Sequence, residues 1–334
     1  MFTAKQYLSQ LYPVSLTLEF SVLIASHDRE NMLNQALDSL ERQTIDHNKF
    51  EVIVVKDYDI KGKIFENRSF SIRVFDSDIT AFWKKHLIGV NNALGEYICL
   101  LDDDDLFSRF KLQKISEDIK ANVNAGFIVN AKSFFNDGED PVDMDYIKIK
   151  GHSTYNSKST DCKDLFNKIP WYNCSSMTIK RSIAIEHIEN IEGTINDLDT
   201  FWFVFALEYC NYILYDDNEL TLYRRHKLGV SRSNDLAKLC NYSEKAIINL
   251  TRMKNLFSTK NASRLISYNT CEWNAKARSL GCIRSRKLIV NSFLSLLPYI
   301  RTFSKKWIMA LLALLMISFI SVKIAQNVYP RIYQ

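Results

Sequence analysis

An apolar stretch, YICLL (residues 97–101), runs directly into four consecutive carboxylates, Asp102, Asp103, Asp104 and Asp105. Like charges this close repel by about 1 kcal/mol per pair in water, and by more where water is excluded. Three arrangements tolerate such a run. One is a solvated acidic turn or helix cap. Another is a carboxylate pair for proton transfer. The third is a hard-cation site, in which Mg²⁺ or Mn²⁺ bridges protein oxygens to phosphate. The third resolves the repulsion, because the cation offsets it. Further groups of the same chemistry lie elsewhere: His27 and Asp28, Asp57 and Asp59, Asp197 and Asp199, and the basic triplet Arg224, Arg225 and His226. The seven cysteines form no CxxC pair, so a zinc or dithiol centre is not indicated, and an odd, scattered set reads as reduced thiols.

These residues need a scaffold. FSVLIA (20–25), FEVIVV (50–55), SIRVF (71–75) and EYICLL (96–101) read as strands. After the first, Met32, Leu33, Ala36, Leu37 and Leu40 recur at helical spacing, with Ser26 or Asp28 placed to cap the helix. A second helical stretch covers about 80–94. Strands alternating with helices predict an α/β chain with a doubly wound, mostly parallel sheet. In such sheets ligands bind beyond the carboxyl ends of the strands. The loops carrying His27 and Asp28, Asp57 and Asp59, and the four aspartates all lie at that edge. Beyond residue 121 the pattern is mixed. AGFIVN and SSMTIKRS read as strands, LDTFWFVFALEY as a buried helix, and NYILYDDNELTLYRRHKLGVSRS as two short strands and a basic loop. Residues 234–287 are predominantly helical in pattern.

GEYICLLDDDD resembles the strand and acidic loop of family 2 glycosyltransferases, which share the GT-A fold. FSVLIASHDRENMLNQALDSLERQT is similar to that family's opening strand, loop and helix, and FEVIVVKDYD to its second strand and nucleotide-binding acidic loop. NDLDTFW resembles the acidic motif that supplies the base. LYRRHKLGVS resembles the Tyr-Arg-x-His-x-x-x-x-Ser loop near the diphosphate. The resemblance covers roughly residues 18–232. It implies an inverting, metal-dependent transfer of sugar from a nucleotide-sugar, a UDP- or GDP-sugar, to a glycan or lipid-linked acceptor. It places Asp102 on the ribose side of the nucleotide and Asp104 on Mn²⁺ or Mg²⁺. Asp103 is the variable middle position and Asp105 a structural trailing residue. Asp57 recognises the base, although Lys56 stands where the family has an acidic residue, which leaves the donor base open. The family's Arg-Asn pair is absent. KKHLIGV stands there, with Lys84 or Lys85 as a substitute charge or a solvated helix face. Asp197 is the general base and Asp199 its rival, with Asn196 at a position often held by Glu. His226 is a metal or phosphate ligand, and Arg224 and Arg225 meet the diphosphate. Ser26, His27 and Asp28 border the nucleotide. Trp171 and Tyr172 either stack on an acceptor sugar or form a core pair. Two other readings stand beside this one. A nucleotidyltransferase would carry a Gly-rich phosphate loop where ASHDREN stands. A non-catalytic sugar-nucleotide binding protein would have a decayed site.

The chain of 334 residues carries a net charge of +5 that hides an asymmetry. From Asn274 onward there are ten basic residues and no acidic one, so the preceding 273 residues carry a net −5. Residues 307–322, WIMALLALLMISFISV, are uncharged and flanked by Lys305, Lys306 and Lys323. A spanning helix wants roughly 17–25 apolar residues, so this run just qualifies once Ile324 and Ala325 are added and Lys323 snorkels. The expected organisation is a catalytic domain at 1–232, a helical extension at 233–287 and a basic, apolar tail at 288–334. The tail would anchor the chain at the cytoplasmic face of a membrane, and it is too apolar for a nucleic-acid-binding arm. No secretory leader is expected, since residues 1–19 hold no apolar core of the right length. Membrane fractions washed with high salt and then with alkaline carbonate should keep the full-length chain through both steps. Release by salt alone would show a tail held by surface charge, which salt screens.

Overall fold

The structure, a computed structural model, describes residues 18–139, 150–159, 173–226, 235–283 and 285–302, together with Leu165 and positions 308, 309, 311, 312, 315 and 316. Its centre is strand β1, Phe20–Ser26, whose seven residues are all buried. Helix α1, Glu30–Glu41, follows it, then β2, Phe50–Lys56, and β3, Ser71–Asp76. Helix α2, Phe82–Asn92, leads to β4, Tyr97–Asp102. Strands β2 and β4 flank β1 in parallel, with Phe20 opposite both Phe50 and Tyr97, so the three strands end level. β3 pairs with the outer edge of β2.

Both faces of this sheet are covered, which is why its strands read as continuous apolar runs. Phe20, Val22 and Ile24 meet Leu33, Ala36, Leu37 and Leu40 of α1 on one side. Leu23, Ile53 and Leu100 meet Val90 of α2 on the other. The approach of α2 is close enough that a Cβ on Gly89 would lie 2.0 Å from Leu23 Cδ1.

The second half departs from the expected parallel sheet. It comprises β5 (Leu106–Phe107), α3 (Lys111–Ala121), β6 (Ala125–Asn136), β7 (His152–Asn156), β8 (Met177–Lys180), α4 (Arg181–His187), α5 (Leu198–Tyr209) and β9 (Tyr212–Arg225). The strand order is β3-β2-β1-β4-β8-β6-β9-β5, with β7 also on β9. β8 is antiparallel to both neighbours, and β5 and β7 are antiparallel to β9, so the sheet is mixed rather than mostly parallel. The segment SSMTIKRS supplies only the four residues of β8 before the chain turns into α4. The two short strands expected at 211–225 are one. DDNE (216–219) forms an irregularity in β9 where the register to β6 shifts, and Asp216 Oδ1 accepts from Asn218 N at 2.9 Å. That local side-chain bond imitates a turn in the sequence without breaking the strand.

Helices α6 (Leu236–Leu256) and α7 (Lys260–Leu280) form a hairpin, followed by α8 (Arg286–Leu296). The antiparallel hairpin returns the end of α7 to the start of α6, where Cys240 and Cys282 are joined, with Cα atoms 5.3 Å apart. This corrects the expectation of reduced thiols throughout. Sequence spacing held no signal for it, because the hairpin alone creates the proximity. Cys99, Cys174, Cys210 and Cys271 are free and buried. Leu311 and Leu315 are buried against Tyr268, Cys271, Ile289 and Leu296. Among the described residues no helix is long and apolar enough to cross a membrane. Most of the apolar run at 307–322 lies outside them.

The buried helix expected from LDTFWFVFALEY is α5, apolar on all sides and covered throughout. It is tied to α2 by one polar contact, in which Trp202 Nε1 donates to His86 Nδ1 at 3.0 Å. That bond requires an unprotonated Nδ1. Burial, and then the charge of Lys85, push the His86 pKa down to about 4. The unfolded chain therefore binds a proton between pH 6.5 and 4 that the native state refuses, and stability falls as the pH drops through that window. At about 1.4 kcal/mol per unit, the loss is on the order of 3 kcal/mol. His86→Gln keeps an acceptor for Trp202 and cannot titrate. Urea unfolding at pH 7, 5.5 and 4.5 should show a shallower decline for the variant than for the wild type. Equal declines would remove His86 from the account.

Candidate active site

Strands β1, β2 and β4 end together, and the residues just beyond them converge. The four aspartates then part company. Asp105 turns inward and accepts from Ser175 Oγ at 2.7 Å, Asn173 Nδ2 at 2.9 Å and Arg224 N at 2.9 Å. Burial and the charge of Asp104 push its carboxyl up to about 7. It is a structural residue, as the resemblance implies. Asp103, expected as a variable middle position, is instead fully buried. It accepts from Ser26 Oγ at 2.9 Å and His27 N at 3.0 Å, and its other oxygen lies 2.5 Å from Arg29 Nη2. It locks the acidic loop to the loop after β1.

Asp104 meets Arg29 Nη1, and its Oδ2 lies 3.1 Å from His226 Nε2. Burial alone would raise its pKa. The His226 hydrogen bond and the Arg29 charge outweigh that and hold it below the ordinary carboxylate range. The Asp102 backbone N–H is fixed by Ser175 Oγ at 3.0 Å. Burial, with Asp199 as the nearest charge, pushes its carboxyl well up.

In the loop after β1, Ser26 Oγ bonds Asp103 and lies 2.9 Å from Tyr58 Oη. Neither Ser26 nor Asp28 caps α1: Arg29 holds the N-cap position, with no side-chain cap bond. Asp28 instead takes a left-handed backbone with φ 50°, a conformation that Asp tolerates better than most residues. That turn carries the chain to Arg29, whose side chain points back at Asp103 and Asp104. Asp57 is buried between His27 Nδ1 at 2.9 Å and Lys85 Nζ at 3.0 Å. Burial raises its pKa, but these two bonds more than reverse the effect. The group expected to read the base thus already has a lysine and an imidazole on it, and the outermost side chain there is His27, 46% exposed. Of the two lysines weighed for the missing Arg, Lys85 belongs to the site. It is buried and also donates to the Ser26 carbonyl at 2.6 Å. Lys84 lies over the Trp83 ring, 5.9 Å from its centroid. Lys56, the departure from the family pattern, is paired with Asp76 of β3.

On the opposite wall, α5 begins at NDLD. Asp197 sits at its N-cap with φ 59° and accepts from Thr200 Oγ1 at 3.0 Å. Burial, and then the charge of Asp199, push its carboxyl up to about 7. Asp199 Oδ1 accepts from Cys174 N at 2.8 Å. Burial raises it too, against the pull of Cys174 and Lys132. Donor atoms of Asp102, Cys174 and Asp199 all lie within 4.8 Å of one another.

The basic triplet divides. Arg224 is buried, its Nε donating to the Asp104 carbonyl at 2.7 Å, Nη2 to Gln35 Oε1 at 2.6 Å and Nη1 to Asp137 Oδ1 at 3.2 Å. Placed on a diphosphate by the resemblance, it here braces the acidic loop against α1. Arg225 is exposed, over the Phe134 ring at 4.2 Å from its centroid. Trp171 and Tyr172 lie outside the described residues, as do residues 227–234 of the basic loop.

A hard cation fits these donors. Oxygens of Asp102, Asp104 and Asp105 lie within 4.8 Å of one another, and His226 joins Asp104 at 3.1 Å. Adjacent ligands of an octahedral ion at about 2.1 Å lie about 3 Å apart. His226 Nδ1 is buried with no hydrogen-bond partner among the described residues, so Nε2 bears the polar contact of the ring. Sequence reasoning missed Arg29, Tyr58, Asn173, Cys174 and Ser175. Only Arg29 left a signal, as a cation in a strand-end loop opposite four carboxylates.

The sequence model of glycosyl transferase family 2 matches residues 21–186. A protein of Haemophilus influenzae named an uncharacterized glycosyltransferase is 30% identical over 110 residues, which cover 32% of this chain and 37% of that protein. The uncharacterized glycosyltransferase EpsJ of Bacillus subtilis is 30% identical over 116 residues, 32% of this chain and 33% of its own length. The matched stretch thus spans little more than a third of these relatives. Among solved structures, S. aureus TarS 1-349 in complex with UDP-GlcNAc superposes with a TM-score of 0.59 at 14% identity, covering 94% of this chain and 92% of that one. The mannosyltransferase PcManGT from Pyrobaculum calidifontis, in complex with GDP-Man and Mn²⁺, gives a TM-score of 0.50 over 98% of this chain and 92% of that one. The mixed sheet with helices on both faces is the GT-A architecture, and the domain at residues 21–186 makes this chain a member of glycosyl transferase family 2.

Proposed function

We propose that the chain transfers a sugar from a nucleotide-diphosphate sugar to a hydroxyl of a glycan or lipid-linked acceptor, with inversion. The observation that carries this reading is a cation-ready group, Asp102, Asp104 and His226, facing a second buried carboxylate pair at the start of α5. The UDP-GlcNAc and GDP-Man complexes of the two similar structures support a nucleotide-sugar donor, and the Mn²⁺ in the second supports a divalent ion. Mn²⁺ or Mg²⁺ on Asp102, Asp104 and His226 would neutralise the charge that develops on the departing diphosphate.

The chain's own residues do the rest. Asp197 accepts the proton of the acceptor hydroxyl as that oxygen bonds to the anomeric carbon. The bond from that carbon to the diphosphate oxygen breaks on the opposite side, which inverts the centre. The strained N-cap of Asp197 fits a group held for chemistry. Asp199, fixed by Cys174 N, holds the negative charge that keeps Asp197 basic. Asp103 and Asp105 fix the loop so that Asp102 and Asp104 need not reorganise. The basic, apolar tail supports a seat at the cytoplasmic face of a membrane, which suits a lipid-linked acceptor.

Two measurements test this. UDP- and GDP-sugars should raise the melting temperature only with Mn²⁺ or Mg²⁺, by mass action on the native state, and Asp104→Asn should abolish that shift without changing the fold. Stabilisation that survives chelation would remove the metal from the site. Asp197→Asn should keep donor binding and lose about 10²–10⁴ in turnover, the scale of a general base. If Asp199→Asn shows that loss and Asp197→Asn does not, the base lies two residues further along, inside the first turn of α5.

A further inference from the structure

We propose that Arg29 is a built-in stand-in for the cation at Asp104, and that it surrenders this carboxylate and moves to the donor's diphosphate when metal and donor bind together. This rests on the reading that Asp104 holds the cation. The guanidinium spans two carboxylates, with Nη2 2.5 Å from Asp103 Oδ1 and Nη1 on Asp104 Oδ2. That Asp104 oxygen is the one His226 Nε2 also meets. A divalent ion on the same oxygen would stand close against the guanidinium, so the two cations compete for one ligand atom.

The two ends of the Arg29 contact are unequal. Asp103 is fully buried and held by Ser26 Oγ and His27 N whatever Arg29 does. Asp104 is partly open, and the Arg29 side chain is itself 24% exposed on the wall of the site. Asp103 therefore serves as a fixed pivot, and Asp104 is the partner that can be exchanged. The left-handed turn at Asp28 sets the entry of the side chain. Arg224, the other guanidinium at the loop, is committed to Gln35, Asp137 and the Asp104 carbonyl, and Arg225 lies over Phe134. A diphosphate offers Arg29 what it loses, since the planar fork of arginine matches phosphate oxygens as well as carboxylate. Metal alone must displace Arg29 into water, whereas metal with diphosphate gives it a new partner. Each then strengthens the binding of the other, and by linkage the factor is the same in both directions.

The test is Mn²⁺ binding to the full-length protein, read as free Mn²⁺ by electron paramagnetic resonance, alone and with UDP or GDP. Arg29→Gln should bind Mn²⁺ alone on the order of tenfold more tightly than the wild type, because the competitor is gone, and should lose most of the gain that UDP or GDP gives. A brace would behave in the opposite way: its removal would leave Mn²⁺ binding unchanged or weaker, and either result overturns the exchange. Arg29→Lys keeps the charge without the fork and should fall between the two. Should Arg29→Gln fail to fold, the sign for Arg29→Lys decides: tighter Mn²⁺ binding supports the exchange, and equal or weaker binding overturns it. Asp104→Asn separates the underlying reading. If it binds Mn²⁺ as the wild type does, the cation is not on Asp104 and both ideas fall. If Mn²⁺ binding needs Asp104 but ignores Arg29→Gln, only the exchange is lost.

Discussion

Four adjacent carboxylates at the end of a buried strand cannot all be ionised and close together without compensation, and the architecture around β4 is organised by how that charge is distributed. The chain sends the four side chains to different partners. Asp105 goes to neutral donors from the Asn173–Ser175 turn and to the backbone of β9. Asp103 goes to the loop after β1. Asp104 goes to the Arg29 guanidinium and the His226 imidazole. Asp102 keeps its carboxylate toward Cys174 and Asp199, with its backbone held by Ser175. Two carboxylates are thereby spent on rigidity, and two remain for chemistry.

The fixed half of the loop depends on groups far away in sequence. Ser175 holds both the Asp102 backbone and the Asp105 side chain. Its own carbonyl accepts from Thr221 Oγ1 at 2.9 Å and from Lys111 Nζ. Lys111 is fully buried beneath the Phe107 ring, 3.8 Å from its centroid, and burial pushes its pKa down to about 7. Such a lysine carries a desolvation cost that only well-placed acceptors can offset. Helix α3, strand β9 and the acidic loop are therefore one hydrogen-bonded unit. Arg224 extends that unit to α1 through Gln35. A change at Lys111, Thr221 or Arg224 therefore acts on the position of the acidic loop.

Much of the first hundred residues was legible because β1, β2 and β4 bury both faces and so read as apolar runs, and because loops at the carboxyl ends of adjacent parallel strands must converge. The acidic loop followed from the same logic, and the start of α5 from the family resemblance alone. The second half was less legible for two physical reasons. Antiparallel β8 is too short to carry a pattern, and the polar DDNE of β9 looks like a turn because Asp216 bonds Asn218 locally while the strand continues. The side-chain roles were harder still. Arg224 and Asp57 carry the residue types that bind nucleotides, yet both are engaged by protein partners. Asp103 gave no sign of being a buried anchor. Composition and order reveal which charges share an edge; only packing decides which of them face inward.

The nucleotide edge shows how one departure from the family pattern is absorbed. A lysine at position 56 brings a positive charge beside Asp57, where an acid is usual. β3 answers with Asp76, directly opposite Lys56 in the parallel register and paired with its ammonium. Asp57 is left to the other side of β2, where buried Lys85 neutralises it and His27 covers it. Asp57, which the resemblance assigns to the base, is thus also a counter-ion to buried Lys85. The group presented outward is an imidazole, which offers a ring face and a single ring nitrogen where a carboxylate would offer two acceptors. At this edge the side chain presented outward is therefore His27, with Asp57 holding its ring and Lys85 pairing with Asp57 behind it.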